Sequence, residues 1–245
     1  WNGAEWSAMN AGATGVVHDL LLLPNGDLVA AGTFPYPGPF GGNTAAARWN
    51  GSEWAAIGVN EGVGGSALAV LPDGQLVIGG GAGNNFGTVA FGISRWDGVS
   101  WRCLGPCGGG GIIYHLATLP DGRLVAAGDF TNISGTPASD IAVRSGNTWS
   151  PLGTGIQAPA GIAPRVHSLA VLPNGNIVVA GNMVAIDDVP VNEMAIWNGA
   201  TWSPFGSGIV GDVLSFLVLP DGRLLAAGSF SSIDSLTESC ICKIS

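Results

Sequence analysis

The chain has 245 residues, 41 of them Gly and 15 Pro; 47% are apolar and 10% charged, with eight Lys and Arg against 17 Asp and Glu, a formal charge of −9. The apolar content excludes a disordered chain, which lacks the surface needed to offset the entropy of ordering, and glycine without a three-residue period excludes collagen. Eight scattered cations exclude the basic stripe that nucleic-acid binding needs, and apolar runs as short as Leu20–Leu23 exclude a membrane-spanning helix.

Taken in chain order, residues 1–9 read as one strand carrying Trp1-Asn2-Gly3-Ala4-Glu5-Trp6. The apolar run Leu20–Leu23 is the next strand, and Pro24-Asn25-Gly26 is a tight turn in which Asn-Gly supplies positive φ. Leu28-Val29-Ala30 is a strand ending at Gly32; a loop rich in Gly and Pro then leads to a strand over 45–49. A second tight turn at Asn50-Gly51 leads to a strand over 54–57.

This unit recurs. Leu-Pro-Asx-Gly has its prolines at 24, 72, 120, 173 and 220, spaced by 48, 48, 53 and 47 residues. Six residues after each turn glycine stands another, at 32, 80, 128, 181 and 228, and all nine tryptophans fall in the second motif. Four short strands per unit of about 48 residues predict an all-β fold, a five-bladed β-propeller of antiparallel strands. The blades are expected at about 10–58, 59–105, 106–153, 154–206 and 207–245, with 1–9 as the outer strand of the last. The two ends are complementary parts of one unit, which a ring needs to remove its open edge and a solenoid does not.

A two-residue turn at Asn50-Gly51 pairs Ala47 with Trp54 and Arg48 with Glu53. Opposite the second Trp stand Ala47, Ser94, Ala142, Ala195 and Cys242, all small enough to leave room for the indole. The same register sets Lys243 against Glu5 across the closure. Free thiols are the leading reading for Cys103, Cys107, Cys240 and Cys242; a Cys103–Cys107 disulfide around Pro106 comes next and a metal site last.

The stretch Leu119–Gly128 and the run Ala47-Arg48-Trp49-Asn50-Gly51-Ser52-Glu53-Trp54 resemble kelch and galactose-oxidase-type propeller repeats, and more closely the delta-sixty type of secreted bacterial proteins. The resemblance spans all five units and implies the fold and export, with no catalytic residue. Only Gly79-Gly80 keeps the glycine doublet of kelch repeats. The five-bladed shape is similar to tachylectin, by shape alone.

Long loops and inter-unit connections lie on one face, the default binding site of such a scaffold. His18 and His167 share one phase with Ser66, Tyr114 and Leu214, and His115 follows by one residue, so these side chains ring a funnel at that face. Three histidines on three blades sit too far apart for one metal ion, and no cofactor is expected. Among loop carboxylates (Asp19, Glu61, Asp129, Asp140, Asp187, Asp188, Glu193, Asp212, Asp234 and Glu238) the acidic doublet Asp187-Asp188 is the candidate for glycoside cleavage, which needs paired carboxyls. Asp73, Asp121 and Asp221 are turn residues, and the tryptophans read as packing rather than sugar platforms.

The reading is a monomeric, non-catalytic binding or scaffolding module that takes carbohydrate or protein at the loop face through His18, Tyr114, His115, His167, Asp187 and Asp188. A glycoside hydrolase and a purely structural ring are the rivals. Few lysines, many tryptophans and the sequon Asn132-Ile133-Ser134 are compatible with an extracellular or cell-surface place. The sequence begins at Trp1, so any targeting segment is removed or lies outside it.

Overall fold

The computed structural model describes residues 4–5, 7–9, 15–36, 42–58, 65–80, 92–105, 111–233 and 241–244, and among them every regular element is a β-strand. The first sheet runs Val16–Leu22, Leu28–Tyr36, Gly42–Trp49 and Trp54–Ala56 in spatial order. The second runs Gly65–Val70, Leu76–Gly80, Ile93–Trp96 and Trp101–Cys103. The third has Gly111–Thr118, Leu124–Phe130, Ile141–Ser145 and Thr148–Pro151, and the fourth Arg165–Val171, Ile177–Asn182, Met194–Trp197 and Trp202–Pro204. The fifth sheet is Ile209–Val218, Leu224–Ile233 and Ile241–Ile244, three strands among the described residues. Each is an antiparallel meander, and the first strands of successive sheets lie against one another.

The Pro-Asx-Gly turns fold as their chemistry requires. The Gly26 N–H donates to the Leu23 carbonyl at 2.9 Å and the Leu23 N–H to the Asp27 carbonyl at 2.8 Å, with Gly26 at φ +88°. Gly74, Gly122, Gly175 and Gly222 repeat this at φ +82° to +87°. Only the glycine is left-handed, so the turn is a type I turn closed by a glycine bulge, with proline preset at its first central position.

The second turn differs from the expected one. Trp49 pairs with Trp54, Arg48 with Ala55 and Ala47 with Ala56, because the Asn50 N–H donates to the Glu53 carbonyl and puts Gly51-Ser52, not Asn50-Gly51, at the tip. Asn50 Oδ1 accepts the Ser52 and Glu53 N–H groups at 2.9 and 3.0 Å, and this Asx turn fixes the shift. Ser94, Ala142 and Ala195 face Cys103, Pro151 and Pro204 rather than indoles. The tryptophans meet each other instead, with centroids 5.6, 5.4 and 5.4 Å apart for Trp49–Trp54, Trp96–Trp101 and Trp197–Trp202. Arg48 accordingly pairs with Asp27, not Glu53. Lys243 lies outside the residues whose side chains are described, and of residues 1–9 only 4–5 and 7–9 are described, none of them in a strand.

The core is divided among the seams between successive sheets. Val29, Ala31, Leu68, Ile78 and Trp101 fill the first seam; Val77, Ile113, Leu124 and Trp149 the second; Val143, Ile177, Val179 and Trp202 the third. Ala180, Met194, Val213 and Phe230 continue it into the fifth sheet. Second strands such as Leu124–Phe130 are buried on both faces, which is why they read as unbroken apolar runs. Indoles tie sheet to sheet: Trp101 Nε1 donates to the Ile57 carbonyl at 3.0 Å and Trp202 Nε1 to the Leu152 carbonyl at 2.9 Å. Cys103 is disulfide-bonded, against the expectation of free thiols; Cys107 lies outside the described residues.

Candidate functional site

Every first strand carries a bulge at the same phase. Register slips between Val17 and Asp19, Gly65 and Ala67, Val166 and Ser168, and Val213 and Ser215, and in the third sheet between His115 and Ile113. The residues skipped are His18, Ser66, His167, Leu214 and Tyr114. A bulge leaves one residue out of the ladder and re-aims its side chain. The second-strand glycine lies beside the bulge: a Cβ on Gly32, Gly128, Gly181 or Gly228 would overlap the carbonyl oxygen of Val16, Ile112, Arg165 or Asp212. The two repeated features, glycine and bulge, are one device.

All five bulged residues line a single cavity of about 410 Å³, completed by His115, Arg165 and Val166. It lies at the end of the first strands opposite the Pro-Asx-Gly turns, since Val16 pairs with Thr33 at one end of the hairpin and Leu22 with Leu28 at the other. The structure thus brings together His18, Tyr114, His115 and His167. Asp187 and Asp188 are not in this wall. They sit at φ +52° and +61° as the tip of the hairpin joining Ala185–Ile186 to Val189–Pro190. Asp187 Oδ1 accepts the Thr154 N–H at 3.1 Å, and Asp188 Oδ1 accepts from Gln157 Nε2 at 2.6 Å. One oxygen of each carboxylate is thus bonded to the 154–157 segment.

The cavity wall is polar and partly charged. The Arg165 guanidinium stands 4.3 Å from the centroid of the Tyr114 ring, a cation–π contact. His167 Nδ1 is buried without a hydrogen bond, 3.6 Å from Asp212 Oδ1. Burial lowers the His167 pKa, with the Asp212 charge opposing. His115 is pushed down to about 4, chiefly by burial, against hydrogen bonds to the backbone of Val166 and His167. Asp19 is raised by burial although its carboxylate accepts the Leu68 N–H at 2.7 Å, which links the first strands of two sheets. Arg165 was not singled out from the sequence, and Asp212 entered only as one of the loop carboxylates. Their signal was phase: each stands two residues before a bulge, where the first three units have Val16, Gly64 and Ile112.

Outside the cavity wall, Asp140 is 7% exposed and at φ +65°, with Oδ2 accepting the Ile156 N–H at 3.2 Å. Burial, reinforced by the Asp129 charge, raises it to about 6. The two groups act oppositely on stability. His115 contributes stability present above about pH 6.5 and lost as pH falls toward 4; Asp140 contributes stability present below about pH 4 and lost as pH rises through 6. Asp140→Asn is therefore expected to raise stability at pH 7.5 by about 1–2 kcal/mol and His115→Gln to flatten the acid limb, read as denaturant midpoints between pH 4 and 8.

Among the described residues no three His, Cys, Asp or Glu side chains are grouped to hold a metal ion. No curated protein matches the sequence. A family model described as "Domain of unknown function (DUF5122) beta-propeller" matches residues 119–142 and 219–245, each match beginning at a Leu-Pro-Asp-Gly segment. The chain folds as a β-propeller.

Solved structures resemble the propeller in fold. YCF48 bound to D1 peptide aligns at TM-score 0.52 and 17% identity over 91% of this chain. A protein of unknown function from Dyadobacter fermentans aligns at 0.53 and 13% over 86%. The WD40 propeller domain of Doa1 aligns at 0.54 and 14% over 89%. The chain spans 65%, 74% and 64% of those three chains, so it covers less than two thirds of the first and third.

Proposed function

We propose that the chain is a non-catalytic, monomeric binding propeller of an exported protein that holds a peptide segment of a protein partner in the funnel of bulged residues. Five blades at the expected boundaries, closed when residues 1–9 add the outer strand of the last, make one ring. The observation that carries this reading is that His18 of the first sheet and Leu214 of the fifth line the same cavity. A closed ring brings the first and last units together; a linear stack separates them.

The funnel offers Tyr114 and Leu214 for apolar side chains, and His18, Arg165 and His167 for backbone or polar groups, a mixture suited to a peptide. One fold neighbour is described as bound to a peptide. The disulfide at Cys103 supports an oxidising compartment and hence export. The rival glycosidase reading is weakened because Asp187 and Asp188 lie outside the funnel wall and each has one oxygen bonded to the 154–157 segment. For the test, peptides from a random displayed library are selected on the wild-type protein. Their affinity is expected to fall at least about tenfold in Tyr114→Ala and Arg165→Ala and to hold in Asp187→Asn. Selected peptides that bind all four proteins equally would place the site elsewhere.

A further inference from the structure

The seam between the second and third sheets breaks the repeat. Trp49, Trp96 and Trp197 each stand directly across the ladder from a second tryptophan. In the third sheet that place belongs to Arg144, opposite Trp149. The register sets Arg144 beside Leu124 and sets Arg95 beside Val77. Leu124 and Val77 pack in one core, so the two arginines lie on the sheet faces that meet at this seam, Arg95 exposed at its rim and Arg144 half-buried. Arg102, cross-strand neighbour of Arg95, adds a third guanidinium.

The charges in this seam do not cancel. Arg48, Arg102, Arg123 and Arg223 pair with Asp27, Asp97, Asp121 and Asp221. Arg95 and Arg144 pair with no carboxylate among the described residues: Arg95 donates to Gln75 Oε1 at 3.3 Å and Arg144 to Asn147 Oδ1 at 2.9 Å. The stretches 81–91 and 106–110 hold no Asp or Glu. Two buried donors of this seam also lack acceptors, Arg144 Nε and Trp149 Nε1, whereas the indoles of Trp101 and Trp202 reach a carbonyl of the preceding sheet. Burial, and then the like charge of Arg95, lowers the pKa of Arg144. An exposed Arg95 and a half-buried Arg144, both without a carboxylate among the described residues of a chain of charge −9, together with two donors lacking acceptors, describe one half of an ion pair.

We propose that Arg95 and Arg144 form an oxyanion-binding site in this seam, separate from the funnel, for a tetrahedral oxyanion on a partner, a phosphate monoester (a dianion) or a sulfate ester (a monoanion). Guanidinium groups carry permanent positive charge and N–H forks that suit the oxygens of such a group. The site does not depend on what the funnel binds.

The test is calorimetric titration of the folded chain with sodium sulfate and, separately, sodium phosphate, at ionic strength held constant with chloride. Sodium acetate serves as the monoanionic control. Wild type is expected to bind one sulfate or phosphate per chain, more tightly than acetate, and the tighter of the two identifies the ester. Arg144→Trp, which restores the residue of the other units, and Arg95→Gln are each expected to weaken binding at least about tenfold. Thermal unfolding of the variants in chloride checks that they fold, since sulfate stabilises any protein by exclusion. Wild type without saturable binding, or both folded variants binding as tightly as wild type, would overturn the proposal.

Discussion

Gly128→Ala is expected to destabilise the protein by about 3 kcal/mol or more, as forced overpacking against backbone does. A Cβ there would overlap the Ile112 carbonyl oxygen and lie 3.0 Å from Ile113 Cα, and backbone in the middle of a ladder has nowhere to move. The informative control is Gly175→Ala. That glycine faces open space at φ +87°, so alanine meets only the intrinsic cost of a left-handed residue, about 1–2 kcal/mol. Urea midpoints of the two variants separate the steric role of the second-strand glycine from the conformational role of the turn glycine. Equal losses would mean the bulge does not press on the second strand as described.

Trp202→Ala is expected to cost about 3–5 kcal/mol, the usual price of emptying a buried aromatic site. Trp202 is 3% exposed, packs in the seam between the third and fourth sheets, and donates its indole N–H across that seam to Leu152. Trp202→Phe keeps most of the bulk and leaves the Leu152 carbonyl without its donor, for a loss of about 1–2 kcal/mol. Trp149→Phe should cost less, because the Trp149 indole N–H has no acceptor to lose. Chemical denaturation of the three variants ranks them, and a Trp149→Phe loss equal to that of Trp202→Phe would refute the seam-tying role of the indole.

Much of the architecture was legible because it is written five times. Leu-Pro-Asx-Gly marks a turn by the fixed φ of proline and the left-handed glycine, and both survive any change of tertiary context. The shared phase of His18, Tyr114 and His167 was legible for the same reason, and it predicted their meeting in one cavity. The second turn was misread by one residue because a glycine-containing tip can sit at Asn50-Gly51 or Gly51-Ser52. The choice falls to the Asn50 side chain, which caps the Ser52 and Glu53 amides. Asp187-Asp188 looked like chemistry because paired carboxylates do; nothing local says that both residues adopt positive φ at a hairpin tip. Arg165 was missed because its importance comes from the neighbouring sheet, where it meets Tyr114, 51 positions earlier in the chain. Glu61, Asp234, Glu238, Cys107 and the Lys243–Glu5 pair fall outside the described residues or side chains.

The gathering of distant residues in one funnel is tested most directly by a short bis-maleimide applied to the His18→Cys, Leu214→Cys double variant. With both positions on the wall of one funnel, mass spectrometry of the digested monomer is expected to show the peptides around 18 and 214 joined within a single chain, and the yield to fall when selected peptide occupies the funnel. A monomer in which these positions never join, while the control pair Tyr114→Cys and His167→Cys does, would contradict it.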